Sequence, residues 1–214
     1  SFEMPGYQQI LRAGAKGTNK EISELLSVEQ KLEREAYEAF KKEVLKYAHY
    51  PIYFNNVPRD IEYIKDANID VCNKYTDKIV INVFDHSRLI LSERDQELQK
   101  LNDVSKGCMW MQAKMGVINI LLSQLNRNIE QEHRAKAQYQ PLLTDLFGGD
   151  SIGQDAHVVM MLQRPNDLYG ITDLYCNENP VGLLACHVEK NRDGLLGMIP
   201  YEAELYTFTI NEKK

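Results

Sequence analysis

The run Ile79-Val80-Ile81-Asn82-Val83-Phe84, which stops at Asp85, narrows the fold more than any other stretch. Apolar, β-branched residues at successive positions suit a strand buried on both faces, as in the centre of a parallel sheet. A second apolar strand is predicted over Val117 to Leu122, ending at Ser123-Gln124. Between the two, Ser92 opens a predicted amphipathic helix. Its apolar positions Leu98, Leu101, Val104, Cys108, Met111 and Met115 step by three or four, and Gly116 is placed to end it. Those methionines read as a core-facing stripe.

The pattern continues on both sides. A short helix is expected from Tyr7 to Ala15. The capping-box sequence Ser27-Val28-Glu29-Gln30 then opens a long helix, with Leu32, Ala36, Ala39, Phe40, Val44 and Tyr47 on one face and its end near His49. Ile52-Tyr53-Phe54 reads as a short strand, and Pro58 suits the first turn of a helix carrying Ile61, Ile64 and Val71. Further strands are predicted around Val158 to Leu162, Leu183 to Val188 and Leu205 to Ile210. The Asn-, Asp- and Gly-rich stretch Pro165 to Pro180 reads as a loop or hairpin tip. Helices alternating with strands, then strands crowding the end, indicate an α/β fold: a mostly parallel sheet flanked by helices, with antiparallel strands at the C-terminal edge.

Composition bounds the function. The 214 residues and 43% hydrophobic content suit one domain with a real core, and exclude a mini-protein. No apolar run reaches the ~18 residues needed to span a bilayer, and the N-terminus lacks the pattern of a signal peptide, so a cytoplasmic location and no membrane partner are expected. Cys72, Cys108, Cys176 and Cys186 form no CxxC pair and read as reduced thiols. The net charge of −6 gives no general attraction to nucleic acid, so any DNA contact must come from a local element.

In open α/β sheets ligands bind beyond the carboxyl ends of the strands, which singles out Glu3, Asp85 and Gln124. Asp85 is suited to hold Mg²⁺ directly or through water, Glu3 to take a proton from an attacking water, and Gln124 to sense a γ-phosphate through its amide. An acid at a strand end is also commonly a cap or turn residue. Ser123-Gln124-Leu125-Asn126-Arg127 adds a second amide and a guanidinium in one turn region, suited to phosphate. Lys190 and Arg192, two residues apart on an extended segment, share a face and can reach one phosphate group. His157 and His187 lie in apolar runs and read as hydrogen-bonded core residues, not metal ligands.

Five stretches then carry a resemblance: Ser1-Phe2-Glu3-Met4-Pro5, Val83-Phe84-Asp85-His86-Ser87-Arg88-Leu89-Ile90, Leu122-Ser123-Gln124-Leu125-Asn126-Arg127-Asn128-Ile129-Glu130, Asp150-Ser151-Ile152-Gly153-Gln154-Asp155-Ala156 and Lys190-Asn191-Arg192-Asp193-Gly194. In that order, and to about Ile210, they resemble the motor domain of DnaB-type replicative helicases. The resemblance implies a RecA-like ATPase in a homo-hexameric ring, with ATP between subunits, single-stranded DNA in the central pore, and a helicase loader or primase as further partners. It implies Glu3 as the catalytic base, Asp85 as the Walker B acid at Mg²⁺, and Gln124 as the residue that reports on the γ-phosphate. Lys190 and Arg192 are implied as a lysine and an arginine finger reaching the adjacent subunit's nucleotide, the arginine stabilising charge that grows in the transition state.

The departures from the family matter too. No G-x-x-x-x-G-K-[ST] loop occurs, and Gly14-Ala15-Lys16-Gly17-Thr18 lacks its spacing. The expectation is a single motor domain over residues 1–214, truncated before its first strand and phosphate loop, and inactive toward ATP by itself. In the DNA-contacting loop Phe147 stands where relatives carry arginine. Phe147, Gly148, Gly149 and Arg127 are the expected DNA contacts, through ring stacking, backbone N–H groups and a guanidinium. His86 stands in place of the tyrosine that commonly follows the Walker B acid. Two other readings stay open: a catalytically silent assembly or binding module on the same fold, and a RecA-like recombination or regulatory ATPase.

Overall fold

The computed structural model describes residues 5–18, 20–27, 32–147, 149–172 and 181–213. In chain order the helices are α1 (Gly6–Thr18), α2 (Ile22–Leu26), α3 (Arg34–Ala48), α4 (Ile61–Lys74), α5 (Glu97–Met115), α6 (Gly149–Asp155) and α7 (Pro165–Tyr169). The strands are β1 (Ile81–Phe84), β2 (Ile118–Leu121), β3 (Val158–Gln163), β4 (Leu183–Asn191), β5 (Gly197–Glu204) and β6 (Thr209–Glu212). They form a two-stranded sheet, β1-β2, and a four-stranded sheet in the order β3-β4-β5-β6. The α/β class is as the sequence indicates, with a parallel β1-β2 ladder and antiparallel pairing of β5 with β6 at the C-terminal edge.

The described chain forms two compact units. One is built from Asn55–Met161 and Val188–Gly197, and the rest of the described chain makes the other.

In the first unit, Ile81 pairs with Ile118 and Phe84 with Leu121, so both parallel strands end at the same level. Helix α4 starts where the Asp60 carboxylate accepts a 2.8 Å hydrogen bond from the Tyr63 N–H, one of the donors a helix start leaves unpaired. Helix α5 stops at Gly116, whose φ of 66° suits a residue without Cβ. Ile64, Phe84, Ile90, Val104, Met111 and Val117 make the core between these helices and the sheet. Asn82 and Asn119 pair across the ladder at 2.9 Å, and the Asn119 amide donates to the Cys108 carbonyl of α5 at 2.9 Å. A polar pair facing the core is thereby satisfied, as burial requires.

The other face of the same two strands carries Ile81 and Val83, each more than half exposed, with Ile118 and Ile120 beside them. Burial of β1 on both faces is therefore corrected: α4 and α5 cover one face of the ladder.

In the second unit, α1 packs on α3, and Gly14 is buried where a Cβ would run into the Phe40 ring. The 14–18 glycine-lysine cluster is thus helix, not loop. Arg12 lies over the Phe208 ring at 5.0 Å, and Leu183 and Ala185 pack with Ile171 and Met198.

Several local expectations are corrected. Ser27 closes α2 and does not open α3, which starts at Arg34 after Glu33; the rest of that capping box lies outside the described residues. Ile52–Phe54 is exposed, joins no ladder and is not a strand. Pro58 precedes the Asp60 cap, and Ser92 precedes α5, which starts at Glu97. Pro165 occupies the first turn of α7, where its missing N–H costs nothing. The segment 205–208 is the turn between β5 and β6.

Candidate functional site

The parallel register delivers two chain segments to one place. Beyond Phe84 and Leu121 the ladder goes on irregularly, with the Leu122 N–H donating to the Phe84 carbonyl and the Ser87 N–H to the Leu122 carbonyl, both at 3.0 Å. Asp85 and Ser123-Gln124 emerge there. The Asp85–His86 peptide is cis. The amide nitrogen of Gln124 lies 3.5 Å from His86 Nε2, and Gln124 Oε1 accepts a 3.4 Å hydrogen bond from Arg88 Nη1. Sequence reasoning thus placed Asp85 and Gln124 at neighbouring strand ends, and the structure has them there.

Arg88 is the residue that reading passed over. Its guanidinium pairs with Glu97 in the first turn of α5 through Nε and through Nη2, the latter at 3.2 Å. The Cζ of the same group lies over the Phe147 ring, 4.5 Å from its centroid. Phe147 is also fixed through its backbone, whose N–H donates to the Gln124 carbonyl at 3.0 Å. No periodicity links position 88 to 97 or 147, so only the spacing Asp85-x-x-Arg88 hinted at a role.

The turn after Gln124 is stitched to the segment before Phe147. The Asn126 N–H donates to the Asp145 carbonyl at 2.7 Å, and the Asn126 amide to the Thr144 carbonyl at 3.0 Å. Asp145, 2% exposed, accepts from Arg134 Nη1 and Nη2 at 2.9 and 2.8 Å and from the Leu142 N–H at 2.8 Å. Arg127 sits in a 3₁₀ turn with its side chain exposed. Gly149 begins α6, while Glu3 and Gly148 lie outside the described residues.

Lys190 and Arg192 form a second locus. Lys190 Nζ donates to the carbonyls of Gly153 and Gln154 at 2.8 and 2.7 Å, and Arg192 Nη2 to those of Gln154 and Asp155 at 3.1 and 3.4 Å. Both cations therefore satisfy the carbonyls that the C-terminus of α6 leaves open, where the helix dipole favours positive charge. Ser105 and Lys106 donate to the Asp155 carboxylate at 2.8 and 3.1 Å. Burial raises that carboxyl, but these bonds and the charges of Lys106 and Arg192 outweigh it and hold it below the usual carboxylate range. His187 is buried and hydrogen-bonded to Gln163 at 3.0 Å, as expected of a core histidine. His157 is exposed instead, and its carbonyl accepts from the Arg192 N–H at 3.0 Å.

Two buried polar atoms beside Asp85, Ser87 Oγ and His86 Nδ1, have no hydrogen-bond partner among the described residues. Among the described residues no cluster of three His, Cys, Asp or Glu side chains stands ready to hold a metal alone. A single carboxylate such as that of Asp85 is compatible with Mg²⁺, which keeps several waters and draws its other ligands from phosphate oxygens.

The family model for the DnaB-like helicase C-terminal domain matches residues 1–209. The replicative DNA helicase DnaB of Mycoplasma pneumoniae is 25% identical over 143 residues, covering 64% of this chain and 29% of the relative. A probable replicative DNA helicase of Trieres chinensis is 30% identical over 125 residues, covering 55% and 25%. The matched stretches thus cover less than a third of the length of these relatives. A solved DnaB-like replicative helicase, described with its interactions with primase, superposes with a TM-score of 0.86 at 19% identity, over all of this chain and 49% of that one. A second solved structure, described as an ATPase domain, superposes with a TM-score of 0.88 at 19% identity, over all of this chain and 73% of that one. The fold is the RecA-like fold of helicase ATPase domains.

Proposed function

The chain belongs to the family of DnaB-like helicase C-terminal domains, and from that footing we propose that it works as one motor domain that couples ATP hydrolysis to translocation along single-stranded DNA and to strand separation in replication. The observation that carries the reading is the convergence of Asp85 and Gln124 at adjacent strand ends, together with two cations held side by side on another element.

In this reading Asp85 would hold Mg²⁺ directly or through its waters, and the ion would supply neutralisation of phosphate charge. Glu3 accepts a proton from water, the oxygen of that water bonds to the γ-phosphorus, and the bond to the β,γ-bridging oxygen breaks to release ADP and phosphate. The Gln124 amide donates to a γ-phosphate oxygen and so distinguishes triphosphate from diphosphate. Lys190 and Arg192 act on the nucleotide of the neighbouring subunit of a homo-hexamer, where the guanidinium meets the charge spreading over the transferred group. Phe147, Gly148, Gly149 and Arg127 contact single-stranded DNA by stacking, backbone N–H groups and charge. Primase and a helicase loader are the partner classes. No helix among the described residues is long and apolar enough to cross a membrane, and a cytoplasmic location completes the proposal.

The test is a forked-duplex unwinding assay on the intact protein with ATP and Mg²⁺, run beside the Glu3→Gln variant. Strand separation by the wild type and none by the variant is the expected result. ATP turnover without unwinding would point to a recombination or regulatory ATPase, and absence of both turnover and nucleotide binding to a silent module.

A further inference from the structure

We propose that Arg88 is a positioning residue that ties the phosphate-reading amide of Gln124 to the loop carrying Phe147, so that DNA at the loop and nucleotide at the strand ends sense each other through one guanidinium. The inference rests on the functional reading above and adds a residue to it.

A guanidinium offers donors only, all in its plane, and leaves two flat faces free. In Arg88 one in-plane edge is committed to Glu97 and another donor to Gln124, while the Cζ atom lies over the Phe147 ring. A donor-only neighbour fixes the amide flip of Gln124: its oxygen turns to Arg88, and its NH₂ group, 3.5 Å from His86 Nε2, has a second N–H to give to another acceptor. A γ-phosphate oxygen is such an acceptor. The two-point pair with Glu97 anchors the guanidinium to the first turn of α5. The 3.4 Å bond to Gln124 is long for its kind, hence the link that yields first.

The ring contact closes the circuit. A base that stacks on Phe147 shifts or competes with the cation–π contact. The Phe147 N–H bond to the Gln124 carbonyl gives a parallel backbone link. The two segments, 23 residues apart in sequence by the difference of positions 147 and 124, are thus joined both by main chain and by a side chain.

The experiment measures ATP turnover by the intact protein with and without single-stranded DNA. Arg88→Ala is expected to lose about fivefold in stimulation by DNA, read as the ratio of turnover with DNA to turnover without it, within the range of coupling-residue effects. Phe147→Leu is expected to lose stimulation to a similar degree, Phe147→Tyr to retain it because the ring is kept, and Arg88→Ala combined with Phe147→Leu to be no worse than either alone. Trp110 fluorescence confirms that each variant is folded, and if Arg88→Ala is not, the comparison of Phe147→Leu with Phe147→Tyr carries the test. Wild-type stimulation in Arg88→Ala, equal stimulation in the two Phe147 variants, or additive losses in the double variant would overturn the relay. A wild type whose turnover ignores DNA would overturn the functional reading itself, and the relay with it.

Discussion

Arg134 and Asp145 form a two-point ion pair whose carboxylate is almost wholly out of water, with the Leu142 N–H as a third donor to Asp145. Burial alone raises the Asp145 carboxyl, but the Arg134 hydrogen bonds, the Leu142 N–H and the Arg134 charge outweigh it and hold it below the usual carboxylate range. The arginine also donates to the Gln140 carbonyl at 2.6 Å, so the pair pins the segment leading to Phe147.

Asp145→Ala leaves the Arg134 charge without its partner. Loss of one member of a buried pair costs about 3–5 kcal/mol, and urea unfolding followed by the emission of the single tryptophan, Trp110, measures it in the same unit. The wild-type pair also has a pH signature. Because the folded carboxyl is depressed, its contribution is present above the unfolded value near 3.8 and is lost as pH falls through the folded one. The acid limb of the unfolding curve flattens in Asp145→Ala.

His187 has the opposite character. Burial pushes its imidazole below the ordinary value of 6.5, so the folded chain resists a proton that the unfolded chain accepts. Above that value the group adds no slope, and as pH falls below it the unfolded state gains protons and stability drops. His187→Gln is expected to remove this slope below pH 6.5, read by thermal melts in far-ultraviolet circular dichroism. An unchanged slope would mean that His187 is protonated as freely in the fold as outside it.

Arg192→Ala in the intact protein is expected to lower ATP turnover by about 10³-fold or more while nucleotide affinity stays within about twofold, as for an arginine supplied in trans. Binding of a fluorescent nucleotide and phosphate release are measured side by side. Because Arg192 also donates to α6 carbonyls, Arg192→Lys serves as the control that keeps a cation on the helix end without the planar fork.

Cys108 supplies a chemical probe of α5. Burial pushes its thiol up to about 12, and the thiolate is the reactive form. At pH 8 an aromatic disulfide reagent is expected to leave Cys108 unlabelled in the folded chain and to label it in urea, with mass spectrometry of the peptide deciding.

The parallel ladder was legible because an apolar run cut off by an acid has few other readings, and Asp85 and Gln124 followed from it as strand-end residues. The helix ends were harder. Ser27 carries the residues of a cap, yet the start of α3 is decided elsewhere, at Glu33 and Arg34. Ile52-Tyr53-Phe54 has strand propensity without a neighbouring strand to pair with, and propensity alone does not make a ladder. The apolar run of β1 hid the exposed face, since a sequence reports which residues are apolar and not how many layers cover them. Arg88 with Glu97, and Arg134 with Asp145, are set by tertiary folding between residues with no shared period. Glu3 and Gly148 fall outside the described residues.

Lys190 and Arg192 both hang from the last carbonyls of α6. The two cations share the Gln154 carbonyl as an acceptor, so a change at that helix end alters the surroundings of both charges together.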